Sequence, residues 1–248
     1  MNDERSSREI VLRRALWSGV GVLAALGVVS AVGRAVSVAS GGLSYEQVVQ
    51  LMPAQLEREA FEFDRWFVAH PALTFMHVIP GGIFLALAPF QFSTRIRSRY
   101  VRFHRWSGRV LLLAALPVGV SGLMLGAVFP YGGPAAAAAV FVAGAVFLFA
   151  LVRAFDAIRR GDVARHREWM IRMFSLGLAI GTIRVVGLML FPLNRIGFQD
   201  THVGFHEAAG TVFWIGWAST FAVAELWIRY TRPRPAAARV APVRAAGA

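Results

Sequence analysis

The sequence predicts an all-α polytopic membrane helix bundle of about six transmembrane helices, with both termini cytoplasmic. Three observations carry that reading. Hydrophobic residues make up 56% of the 248 positions and the mean hydropathy is +0.55, which places the chain in the membrane class. Apolar runs of about twenty residues, long enough for a hydrocarbon core of roughly 30 Å, recur along the chain. Between them the charge is one-sided: the stretch from Pro89 to Val110 holds Arg95, Arg97, Arg99, Arg102, Arg105 and Arg109 and no acid. A short arginine-rich loop between two spans is retained in the cytoplasm during insertion, so this bend sets the predicted orientation.

Composition also removes several chemistries. There is no cysteine, which excludes disulfides, thiol catalysis, iron-sulfur clusters and cysteine zinc sites. All 26 basic residues are arginine, and the net charge is +12. Those arginines sit in turns between apolar runs, where topology and anionic lipid head groups account for them. No groove-reading motif accompanies them, so nucleic acid is not an expected partner. The expected setting is the bacterial inner (plasma) membrane.

Taken in order, residues 1–38 comprise a polar tail and a first span, Ala15 to about Val38, whose length favours a retained helix over a cleaved signal peptide. Residues 39–70 form the expected external loop, where Glu46, Glu57, Glu59, Glu62 and Asp64 outnumber Arg58 and Arg65. Leu56, Ala60, Phe63 and Phe67 recur at helical spacing, which predicts an amphipathic helix on the outer surface. Residues 71–230 supply five further spans, expected near 72–92, 110–129, 135–156, 170–191 and 203–228. Pro71 suits a first helical turn, Pro130 to Pro134 a tight external turn, and Phe191 to Thr201 a second external one. The internal loop from Arg153 to Arg172 carries six arginines, and residues 231–248 read as a disordered cytoplasmic tail. By this topology 21 arginines lie inside and four (Arg34, Arg58, Arg65, Arg195) at or near the outside, which leaves Arg184 within a helix.

Three ordered motifs stand out. They are PFQF (Pro89 to Phe92), HRWSGR (His104 to Arg109), and RRGD with HREWMIR (Arg159 to Asp162, His166 to Arg172), followed by Thr182 and Arg184 in the next span. In this combination the chain resembles the bacterial multi-pass membrane family known as domain of unknown function 2306, over about residues 70–190. The resemblance implies a membrane bundle and brings no activity with it. The segment THVGFHEAAG at the start of the last span departs from the pattern of that family.

Six histidines are the main chemical candidates. The topology sorts them into an outer layer, His70, His77, His202 and His206, and an inner pair, His104 and His166. One function that needs such layers is transmembrane electron transfer through haem b, each iron held by histidines of two facing helices, with a quinone or redox protein as partner. His77 and His206 suit an outer iron, because each falls within about two turns of the outer end of its span. Arg184 is placed to meet a haem propionate or Glu207, since an unpaired guanidinium in a span is costly. His104 and His166 sit in matching arginine-rich turns near Trp106 and Trp169, a pattern that also reads as interfacial anchoring.

A second reading places zinc among His70, His77, His202 and His206, with Asp64, Asp200 and Glu207 on the same side, for hydrolysis through metal-bound water. A third involves no chemistry: a transporter or a subunit of a membrane complex. Glu225 is expected to pair with Arg229, its i+4 neighbour. Gly177, Ala179 and Gly181 are expected to let the fifth span approach another helix closely.

Overall fold

The computed structural model describes residues 2–51, 57–129, 132–197 and 205–232. Those residues are almost entirely helical and contain no strand. The first helix, α1 (Asn2–Ala39), leads through α2 (Tyr45–Leu51) and α3 (Glu57–Ala69) to α4 (Pro71–Gln91). A short α5 (Thr94–Arg99) then precedes α6 (Val101–Val128), α7 (Gly133–Arg159), α8 (Val163–Gly197) and α9 (Phe205–Thr231). Among the described residues, α1, α4, α6, α7, α8 and α9 are long and apolar enough to cross a bilayer, which makes this an integral multi-pass membrane protein.

The connections follow local chemistry. Pro71 occupies the first turn of α4, as its fixed φ favours, and Thr74 Oγ1 donates back to His70 O at 2.9 Å. Between α7 and α8, Gly161 takes φ +76°, and Asp162 N donates to Ala157 O at 2.9 Å, closing α7 with a Schellman turn. Asp162 then caps α8, its Oδ1 accepting from Arg165 N at 2.9 Å. The RRGD motif is therefore a helix-turn-helix joint.

Two boundaries differ from the sequence reading. The arginine-rich stretch is nearly all helix, because α5 and the start of α6 occupy it and the expected start at residue 110 moves back to Val101. Arginine is a good helix former; its charge limits how deep a helix sits, without ending the helix. Likewise α8 starts at Val163 and runs to Gly197, so most of the expected turn from Phe191 is helical. Residues 233–248, most of the expected tail, lie outside the described residues.

The hub of the bundle is α8, which packs against α1, α4, α7 and α9, whereas α6 packs against α4, α5 and α7. Over the most apolar 18 residues of its span 56% are buried, against 11% for α1, so α8 is the span most sheltered from lipid. Phe84, Phe147 and Phe174 meet at the centre with ring centroids 5.6 and 6.3 Å apart, packed among Ala88, Ala115, Ala150 and Ala154. Gly181 has the expected role: a Cβ there would lie 2.4 Å from the Leu23 carbonyl oxygen of α1.

Candidate functional site

The end of the bundle that carries the arginine-rich turns is the basic end, and the opposite one is the far end. At the far end, Asp64 of α3 is almost fully buried and accepts from Arg34, from Ser37 Oγ at 2.7 Å and from Leu43 N at 2.9 Å. The Arg34 guanidinium also lies over the Phe67 ring, 4.3 Å from its centroid. This knot fastens α3 to the end of α1. Both charges are satisfied by it, so Asp64, an acid of the zinc reading, is committed to an arginine.

The described histidines differ in their partners. His70 Nδ1 lies 2.8 Å from Trp66 O, and its ring stacks on Trp66 at 4.2 Å, at the joint between α3 and α4. His77 Nδ1 lies 3.0 Å from Ser121 Oγ of α6. Because that hydroxyl gives its proton to Pro117 O, the histidine must be the donor. His77 thus ties α4 to α6. The expected partner His206 lies in the first turn of α9, a helix whose main packing is against α7 and α8. His202 and Asp200 lie outside the described residues. Among the described residues no three acids or histidines converge as metal ligands.

At the basic end the motifs interlock. Gln91 of PFQF donates from Nε2 to Ser107 Oγ of HRWSGR at 2.7 Å, and Ser107 passes its own proton to Phe103 O at 2.6 Å. Both side chains are buried, and Gly108 leaves room for the amide, since a Cβ there would be 3.3 Å from Gln91 Oε1. In HREWMIR, Arg172 makes a two-pronged contact with Glu225 of α9, Nε to Oε1 at 2.5 Å and Nη2 to Oε2 at 3.1 Å. This corrects the expected Glu225–Arg229 pair: Arg172 faces the α8–α9 seam and is only 13% exposed, so it needs the carboxylate more than a surface arginine does. Thr182 accepts from Thr220 Oγ1 at 2.9 Å on the same seam.

His166 Nδ1 donates to Ala154 O of α7 at 2.8 Å, while the Nδ1 of His104 is buried without a hydrogen-bond partner. His166, Arg97 and Arg105 are the charged neighbours of His104. Trp106 is 60% exposed, as an interfacial anchor should be, but Trp169 packs inward against Phe149 with ring centroids 5.4 Å apart. The two matching turns thus place their tryptophans differently. Arg184 is exposed on α8 and, among the described residues, meets no acid or hydrogen-bond partner; the charged group near it is Arg34.

A groove of about 640 Å³ opens at the basic end between α1, α8 and α9. Three arginines (Arg13, Arg167, Arg232), two acids (Glu9, Glu168) and Thr231 supply its polar lining, with Trp227 and Tyr230 as aromatic wall. Glu168 is held by Arg232 at 2.8 and 2.9 Å, a pairing that raises the Arg232 pKa above its ordinary value. Arg167 is left with a hydroxyl, Thr231 Oγ1 at 3.0 Å. Pairing across these three helices is invisible to the spacing rules of a single helix, and the sequence reading missed it.

Six apolar helices, of which α8 is the most sheltered, define a multi-pass membrane helix bundle. The family described as predicted membrane protein (DUF2306) matches residues 74–228, and the chain belongs to that family. The match extends beyond the expected limit near residue 190 and takes in α9. No curated protein and no solved structure matches the chain.

Proposed function

We propose that the protein is a non-enzymatic membrane protein of the transporter or complex-subunit kind that binds an anionic amphiphile at its basic end. The groove between α1, α8 and α9 is the observation that carries this reading. Its arginines outnumber its acids, Glu168 is already engaged by Arg232, and Arg13 and Arg167 keep charge available beside an aromatic wall. A ligand with an anionic head and an apolar body fits such a lining, which is the composition expected of a lipid-facing recognition site. The motif residues Gln91, Ser107, Asp162, Arg172 and Thr182 have structural partners, and this favours a scaffold for binding over an assembled catalytic centre.

The test is native mass spectrometry of the protein released from mild detergent with phosphatidylglycerol or phosphatidylcholine. We expect retained phosphatidylglycerol in preference to phosphatidylcholine, and about a tenfold loss of that preference in Arg13→Ala/Arg167→Ala. Equal retention of both lipids would overturn the reading. In the same reading the basic end faces the cytoplasm of a bacterial inner membrane, so reporter fusions at Arg102 and Arg165 should report inside and one at Glu46 outside.

A second reading keeps haem b, or zinc in its place, and one observation favours it: His104 has a buried nitrogen without a partner and His166 is among its charged neighbours. An absorption spectrum of the purified protein tests it. A Soret band abolished by His104→Ala would move the function to electron transfer with a quinone or redox protein.

A further inference from the structure

We infer that Arg184 and Arg34 form an oxyanion site at the far end of the α1–α8 seam, separate from the groove at the basic end. Helices α1 and α8 run side by side there. A Cβ at Gly181 would touch the Leu23 backbone, and Ile180 Cγ2 lies 3.0 Å from where a Gly27 Cβ would stand. Arg184 is one turn beyond Ile180 on the same helix face, so it stands along the same seam, and Arg34 of α1 is the charged group near it.

The local charge does not balance. Arg34 and Asp64 cancel each other within the far-end knot, and Ser37 and Leu43 N take up the remaining acceptor capacity of that carboxylate. Arg184 adds a second guanidinium with no acid or hydrogen-bond partner among the described residues, and its side chain is exposed. With Arg34 neutralised by Asp64, Arg184 is the guanidinium left without a counter-ion, and an unpaired guanidinium beside an apolar seam is unfavourable unless an anion joins it. A guanidinium presents a planar fork of donors that matches phosphate, sulfate or carboxylate oxygens.

Depth supports a site at head-group level. Arg34 lies about 31 Å along α1 from Arg13, and Arg184 about 26 Å along α8 from Arg167, at 1.5 Å per residue. Both separations approximate the hydrocarbon thickness of roughly 30 Å. The same two helices therefore present a pair of arginines near each membrane surface, and the far pair takes the anionic group of a ligand approaching from that side. The group can belong to a lipid head group or to a free oxyanion.

The experiment uses the full-length protein in mild detergent. Native mass spectrometry counts retained phosphatidylglycerol, and thermal unfolding is followed with and without millimolar inorganic phosphate. We expect Arg184→Gln to lose one retained phosphatidylglycerol, with about a tenfold weaker apparent affinity for it, while the groove at the basic end keeps its own. If the site takes free oxyanion, phosphate raises the melting temperature of the wild type and the rise disappears in Arg184→Gln. Arg184→Lys, which keeps the charge and loses the fork, should fall between the two and serves if the glutamine variant does not fold. Unchanged lipid retention together with an unchanged phosphate response in a folded variant would overturn the inference. Because Arg13→Ala/Arg167→Ala acts at the other end, failure of the groove reading and failure of this one are separable.

Discussion

In the hairpin from α4 to α6 and in the hairpin from α7 to α8, the return helix begins with valine and places histidine then arginine at its fourth and fifth residues: Val101 to Arg105, and Val163 to Arg167. The resemblance ends at the side chains. In α6 the following tryptophan, Trp106, is exposed and the histidine keeps a buried nitrogen without a partner. In α8 the tryptophan packs on Phe149, the histidine donates to α7, and Arg172 reaches across to Glu225 of α9. The spans differ in shelter, with 33% of the most apolar 18 residues buried in α6 and 56% in α8. An arginine-rich turn thus leaves its side chains exposed where its helix lies at the rim, and becomes a set of cross-helix fasteners where its helix is the hub.

The largest expected break in this comparison comes at Arg172 and Glu225. Removing the carboxylate leaves a guanidinium that is only 13% exposed in the α8–α9 seam without its main partner. Glu225→Ala should cost about 3 kcal/mol of stability, in the range for breaking such a pair. The rim arginine Arg102 has no comparable contact, so Arg102→Ala should change stability by less than about 0.5 kcal/mol. Unfolding of both variants in mixed detergent micelles checks the pair of values. Similar losses would mean that hub and rim arginines are equivalent, and the comparison would fail.

That difference also marks what the sequence could disclose. Apolar length and arginine placement reported six spans, and the family motifs reported the membrane bundle, because both properties are local to a segment. Register across segments was not legible. Glu225 has Arg229 at i+4 and also Arg172 on another helix; helical spacing points to the first, and packing selects the second. Arg34 and Asp64 carried a weak signal, since a charge within an apolar run and an acid on an amphipathic helix each need a partner. Their pairing still depended on how α3 folds back over α1. Depth along a span, by which the histidines were sorted, does not say which helices are neighbours, and it gave no sign that His77 of α4 meets Ser121 of α6.

A smaller effect is expected where the first hairpin does hold a buried contact. Ser107→Ala removes the acceptor of Gln91 Nε2 in a site closed to solvent, and an amide left without a partner there should cost about 1 to 3 kcal/mol. Adding Gln91→Leu should restore part of the loss, since the unpaired group is then gone, so the double variant should be less destabilised than the sum of the single ones. Strict additivity in the same unfolding assay would show that Gln91 and Ser107 act independently.

The finest distinction lies between the two histidines themselves. His166→Phe deletes a hydrogen bond to Ala154 O and leaves that carbonyl to the helix alone, for an expected loss of about 1 kcal/mol. His104→Phe removes a buried nitrogen that has no partner, so the variant should match the wild type or slightly exceed it in stability. Thermal unfolding of the two variants side by side measures the contrast, and absorption spectra recorded on the same samples add a second readout. If His104→Phe proves the more damaging change, its nitrogen is engaged by a bound group, and loss of an absorption band with it would identify that group as a chromophore. If instead only His166→Phe is destabilising, the matching turns differ in packing alone, as their unequal burial requires.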